Sequence, residues 1–172
     1  MTKALLDTNV YTALLKEGEN GKSLILQATA VGFSFCGFEE VKHELKSAPR
    51  MITTFSKNLR ADLLRLYEAM IMREYRFEQR MMDLAVEYYK AYRAFGGGIA
   101  HRDIITDFLI VACASLKQVD VVVSQDSTSM LNAYARKSYA EVNARRDLAV
   151  PKLWAYEEFK AEVARKARIG VK

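Results

Sequence analysis

Three aspartates, Asp7, Asp107 and Asp126, stand where an α/β protein keeps groups that do chemistry. Asp7 closes a short apolar run, residues 3–6, that reads as a strand, and Thr8 and Asn9 behind it are helix-capping types. Asp107 heads a second apolar run, FLIVACASL, rich in good helix formers. Asp126 follows residues 119–124, which are β-branched and almost wholly apolar, the texture of a buried parallel strand. Ligands of open α/β sheets bind beyond the carboxyl ends of the strands. If the strands before Asp7 and Asp126 are neighbours, both carboxylates reach one sheet edge, and Asp107, at the front of a helix packed on that sheet, joins them.

Carboxylates crowded at one edge repel one another unless a cation sits among them, so the arrangement implies a metal. Oxygen donors suit hard divalent ions; Mg²⁺ takes one or two carboxylates and keeps several waters. Such an ion polarises a phosphoryl oxygen and turns a bound water into a nucleophile. Competing chemistries lack parts. The chain has only two histidines, His43 and His101, so no Ser-His-Asp or Cys-His set is available. Gly96, Gly97 and Gly98 lack the Lys-Ser/Thr of a phosphate-binding loop.

The elements that must position these residues are legible in outline. Residues 9–17 predict a short helix with Val10 and Leu14 inward, residues 18–21 a turn, and residues 22–28 a second helical piece. Residues 30–35 predict the second strand, ended by Gly37, with a helix beginning at Phe38 or Glu39 and closed before Pro49. Residues 50–95 hold neither Pro nor Gly, and Leu59, Leu63, Leu66, Met70, Phe77, Met81, Leu84 and Tyr88 recur at helical spacing. That predicts a long helical hairpin, interrupted near residues 72–76 and standing apart from the sheet, with apolar surface enough for a homodimer. The three glycines end it. A helix over residues 127–143, an edge strand at 149–154 containing Pro151, and a basic helix at 157–168 complete the chain.

The bulk properties agree with this plan. A length of 172 residues, half of them hydrophobic and about a quarter charged, suits one folded domain, 1–172, with a helical insertion at 50–95. Asp7 and Asn9 interrupt the N-terminal apolar stretch too early for a signal peptide, and no apolar run is long enough to cross a bilayer. Cys36 and Cys113 sit in apolar contexts and read as reduced core residues. The expectation is a soluble cytoplasmic protein. A net charge of +5 despite the proposed acid cluster leaves basic surface elsewhere, compatible with a polyanionic partner.

LLDTNV near the start, a Glu-Leu pair on the second crossover helix, DFLIVACAS and then VVVSQD together resemble the PIN-domain nucleases, with the VapC-like toxins and their archaeal relatives as the nearest type. The resemblance runs from Leu5 to Asp126. It implies an endoribonuclease dependent on Mg²⁺ or Mn²⁺, commonly a dimer and commonly paired with an antitoxin protein that blocks the site. Asp7, Asp107 and Asp126 match three of the family's four acids. The fourth falls on Glu39, Glu40 or Glu44; Glu44, followed by Leu45, is preferred, with Glu40 one turn earlier on the same face. Catalytic and metal-binding roles are therefore expected of Asp7, Glu44, Asp107 and Asp126. Taken singly, Asp7 and Asp126 read more often as turn or cap residues after strands, and Asp107 as a first-turn aspartate favoured by the helix dipole. Thr8, Asn9, Ser124 and Ser127 are either caps or groups that orient ligands, and Asp103 reads as a helix cap. His101 and Arg102 read as loop residues within reach of a phosphate, and Arg60, Arg65, Arg73, Arg76 and Arg80 as a solvated helix face. The competing functions are a PIN-like module that holds RNA or a protein without cleaving, and a Mg²⁺ phosphatase or 5′-nuclease-like enzyme on a similar scaffold.

Overall fold

The computed structural model describes residues 1–169. Five parallel strands, β1 (Thr2–Leu6), β2 (Phe33–Phe38), β3 (Arg73–Tyr75), β4 (Val121–Ser124) and β5 (Lys152–Ala155), form one sheet in the order β3-β2-β1-β4-β5. The chain steps outward from β1 through β2 to β3, then returns to the other side of β1 at β4 and continues to β5. The direction of winding therefore reverses between β1 and β4, and that crevice is where such sheets bind ligands. Leu5 lies opposite both Cys36 and Val122, so β1 is the centre of the sheet.

Eight helices are described: α1 (Thr8–Glu17), α2 (Glu19–Ala30), α3 (Glu39–Ser47), α4 (Leu59–Met70), α5 (Gln79–Ala94), α6 (His101–Leu116), α7 (Ala133–Arg145) and α8 (Tyr156–Ile169). Right-handed crossovers in opposite directions put them on opposite faces. The side chains of β2 show the split by alternation. Phe33 and Phe35 stack edge-on against Phe159 of α8, with ring centroids at 5.4 and 6.3 Å, and Gly37 meets Tyr67 of α4. On the other face α5, α6 and α7 close around Tyr88, Phe108 and Tyr139, with Tyr139 at 5.0 Å from Tyr88 and 5.4 Å from Phe108. A buried network, in which Tyr88 donates to Asn143 at 2.5 Å and Asn143 donates to Ser115 at 2.9 Å, ties the three helices together. Cys36 and Cys113 are free and buried, as expected.

The helical hairpin over residues 50–95 does not form. The interruption falls where the periodicity breaks, but it is β3, which pairs with β2 from Cys36 opposite Arg73 to Phe38 opposite Tyr75. α4 before it packs on α1 and α3, while α5 after it packs on α6 and α7. The apolar side chains that suggested a second copy, among them Leu63, Tyr67, Met81, Leu84 and Tyr88, are buried within this chain. β3 is short and charged, with only Tyr75 buried, so it lacks alternation and is protected as an edge by its own charges. Further boundaries shift, among them the edge strand, which is Lys152–Ala155 and leaves Pro151 outside it, and β2, which begins at Phe33 rather than 30. Only Gly18 lies between α1 and α2. α7 begins at Ala133 rather than 127. β2 runs through Gly37 instead of ending there.

Gly37 is required by close approach. A Cβ at this position would lie 2.1 Å from the hydroxyl oxygen of Tyr67, whose side chain is buried and donates to Glu74 at 2.9 Å. Gly37→Ala is therefore expected to destabilise the protein by about 1–3 kcal/mol through overpacking, and adding Tyr67→Phe, which deletes the nearest atom, should recover part of the loss. Urea unfolding of both variants checks this; an unchanged midpoint for Gly37→Ala contradicts the packing described.

Candidate active site

The acids are placed by four different elements around the β1–β4 crevice. Asp7 is the first residue past β1, and its backbone N–H still donates to the Val123 carbonyl of β4 at 2.9 Å. It caps α1 through Thr8 N–H at 2.7 Å, and its other oxygen accepts from Ser124 Oγ and Asn9 Nδ2, both at 2.7 Å. Asn9 crosses the crevice and accepts from Gln125 N–H at 2.9 Å. The strand ends are thus laced together by Asp7, Asn9 and Ser124. Asp7 is only 4% exposed.

Asp126 lies two residues past β4 in a turn that saturates one of its oxygens. Thr128 N–H at 2.8 Å, Thr128 Oγ1 at 2.7 Å and Ser129 N–H at 2.9 Å all donate to Oδ1. Ser129 Oγ donates to Oδ2 at 2.6 Å and is also in hydrogen-bond contact with Asp107 Oδ2. Asp107 comes from α6, but not from its front. The helix begins at His101, so Asp107 is its seventh residue, outside the first turn to which the dipole effect is confined. Its neighbour Asp103 occupies that turn, exposed and beside Arg102 at 3.3 Å, and caps nothing, because Ala100 is the N-cap residue.

Of the glutamates on α3, Glu44 is the one joined to the crevice, accepting a hydrogen bond from Thr8 Oγ1. Glu40 lies 3.7 Å from His43, and Glu39 accepts from the Phe77 backbone N–H at 2.9 Å, tying α3 to the loop after β3. Among the described residues Ser127 makes no hydrogen bond to any of the acids, while Ser129, absent from the expected set, links two of them. The spacing Asp126-x-x-Ser129, with hydroxyl residues following an aspartate, is an Asx-turn pattern and was the available signal. His101 packs edge-on against Tyr89 at 4.8 Å, and Arg60, Arg65 and Arg80 are engaged by Ala48, Asp62 and Glu78.

The charges at this edge are unbalanced. Among the described residues none of the four acids forms an ion pair with Lys, Arg or His. Burial pushes Asp7 up to about 6, further raised by Glu44 and Asp126 and only partly offset by Ser124 and Thr8. Burial pushes Asp107 up to about 7, with Ser129 opposing and Asp7, Asp126 and Glu44 adding to the rise. Asp126 goes the other way: burial opposes ionisation there, but the donors on Ser129 and Thr128 outweigh it and hold its carboxyl below the usual range.

The donor set suits a hard cation that keeps its water. Among the described residues no three His, Cys, Asp or Glu side chains are gathered closely enough to hold an ion by themselves. The acids are instead spaced by hydroxyls, which matches Mg²⁺ with one or two carboxylates and waters rather than an all-protein cage.

The fold is similar to that of a chain in the crystal structure of VapBC2 from Rickettsia felis bound to a DNA fragment from their promoter, with a TM-score of 0.55 and 13% identity over 90% of this chain and 99% of that one. No protein-family model matches the sequence. No curated protein matches it either. No described helix is long and apolar enough to cross a membrane.

The raised acids set a pH dependence. Folded Asp7 and Asp107 bind protons more tightly than their unfolded counterparts, so in metal-free protein their contribution to stability falls as pH rises from about 4 to about 7. A cation among ionised carboxylates reverses that loss. Millimolar MgCl₂ is therefore expected to raise the melting temperature more at about pH 8 than at about pH 5. Differential scanning calorimetry with and without EDTA measures it, and equal increments at both pH values would contradict the account.

Proposed function

We propose that this protein is a PIN-like, metal-dependent endoribonuclease that hydrolyses RNA phosphodiester bonds at Asp7, Glu44, Asp107 and Asp126, and that it serves as the toxin of a type II toxin–antitoxin pair. One observation carries the reading: four acids from four elements border the β1–β4 crevice, near enough for their charges to act on one another, without a basic partner among the described residues. The similarity of fold to a chain of a VapBC2 structure and the motifs of the sequence support it. An antitoxin partner follows from the resemblance alone; a cytoplasmic location is the expectation from the bulk properties of the sequence, and association of two copies now rests on the resemblance, since the apolar surface that suggested it is buried within this chain.

Bound Mg²⁺ or Mn²⁺ would supply a Lewis acid for the phosphoryl oxygens and a water acidic enough to attack in line. Asp7 and Asp107 would hold the ion, directly or through water. Asp7 is fixed for this by three donors, while Asp107 accepts a hydrogen bond on only one oxygen. Glu44, exposed on α3 and steadied by Thr8, orients the attacking water and takes up its proton. Asp126, tied to Ser129, would complete the acidic surroundings of the ion. Basic side chains elsewhere on a chain of net charge +5 hold the flanking phosphates, so binding weakens as salt rises.

Asp7→Asn keeps the shape and removes the charge. It is expected to cut cleavage of a mixed RNA pool with Mg²⁺ or Mn²⁺ by about a hundredfold or more, while circular dichroism stays that of the wild type. EDTA should abolish wild-type cleavage. Equal cleavage by both proteins, or cleavage indifferent to EDTA, would show that the activity is not this one; RNA binding without cleavage in either protein would favour a non-cleaving module.

A further inference from the structure

Asp107 and Asp126 belong to different elements, and what joins them is one buried hydroxyl. Ser129 is 4% exposed and its Oγ contacts a carboxylate oxygen of each. Its position is imposed by the loop. Asp126 gathers Thr128 and Ser129 into a turn, Leu131 N–H donates to the Asp126 carbonyl at 3.0 Å, and Asn132 both caps α7 through Ala135 N–H at 2.8 Å and donates to the Thr128 carbonyl at 2.7 Å. A rigid turn thus holds one hydroxyl, with one proton to donate, between Asp126 of its own loop and Asp107 on α6. The opposite oxygen of Asp107, Oδ1, accepts no hydrogen bond among the described residues and is not among the fully buried unpartnered atoms.

We infer that Ser129 is a positioning residue of the cation site, a role that rests on the reading of the cluster given above. Its hydroxyl sets the rotation of the Asp107 carboxylate and screens it from Asp126, leaving Oδ1 as the oxygen offered to the ion. Without the hydroxyl, two acids with no donor between them turn apart, and the ion must pull Asp107 back as it binds. Groups that orient metal ligands in this way typically change affinity tenfold to a hundredfold.

The test compares Ser129→Thr with Ser129→Val, which share a shape and differ in the hydroxyl. Mn²⁺ binding to the RNA-free full chain is measured by electron paramagnetic resonance, and melting is followed on the same samples. Thr is expected to bind Mn²⁺ within a few-fold of wild type, and Val about tenfold or more weaker at a similar melting temperature. Should the branched side chains fail to fold, Ser129→Ala, which is smaller than serine, carries the comparison with wild type and is expected to show the same loss. Val equal to Thr, or Ala equal to wild type, overturns the inference. Asp7→Asn separates the two levels: if it weakens Mn²⁺ binding while removal of the Ser129 hydroxyl does not, the cation site stands and Ser129 does not position it. If wild type binds no Mn²⁺, both fall.

Discussion

Burial of unpaired carboxylates beside one another, with their mutual repulsion added to it, is the constraint around which this edge of the structure is arranged. The sheet winds in two directions from β1, and the reversal brings the ends of β1 and β4 side by side. Whatever follows those strands is held together by the backbone ladder, whether or not its charges agree. Asp7 and Asp126 follow them, and α3 and α6 bring Glu44 and Asp107 from opposite faces. Fold and electrostatics are thus in conflict at this edge, and a conflict retained at one site is what function ordinarily looks like.

The surrounding polar residues manage that conflict without removing it. Ser124 and Asn9 donate to Asp7, Thr8 donates to Glu44, and Ser129 stands between Asp107 and Asp126. These are neutral donors. They spread each charge and fix each side chain, but they bring no opposite charge, so Asp7 and Asp107 remain hard to ionise. Asp126 is the exception, because its turn supplies enough donors to hold it ionised. The result is one carboxylate favoured as an anion beside two that burial holds back from ionising.

Much of this was legible before the fold was known, for reasons that differ by residue. β1, β2 and β4 are buried on both faces, so their sequences are almost uninterrupted apolar runs, and the acids at their ends stand out. β3 was not legible: three residues, two of them charged, carry no periodicity, and pairing with β2 alone makes them a strand. The start of α6 was placed too late because its N-cap, Ala100, has no capping side chain, and this put Asp107 at the helix front instead of within it. Gly37 looked like a strand terminator and is a contact point for Tyr67. Ser129 escaped because its role is set by α6, remote in sequence, while Ser127, next to Asp126, looked the better candidate.

The central claim of the proposed function is that the acids of the β1–β4 crevice bind a divalent cation. Anomalous diffraction from crystals grown with Mn²⁺ tests it directly. The account predicts an anomalous peak beyond the carboxyl ends of β1 and β4, at coordination distance, roughly 2.2 Å, from at least one oxygen of Asp7 or Asp107 and lost in Asp7→Asn. A well-ordered crystal with no Mn²⁺ at this edge, or with Mn²⁺ bound only at other acids, would contradict it.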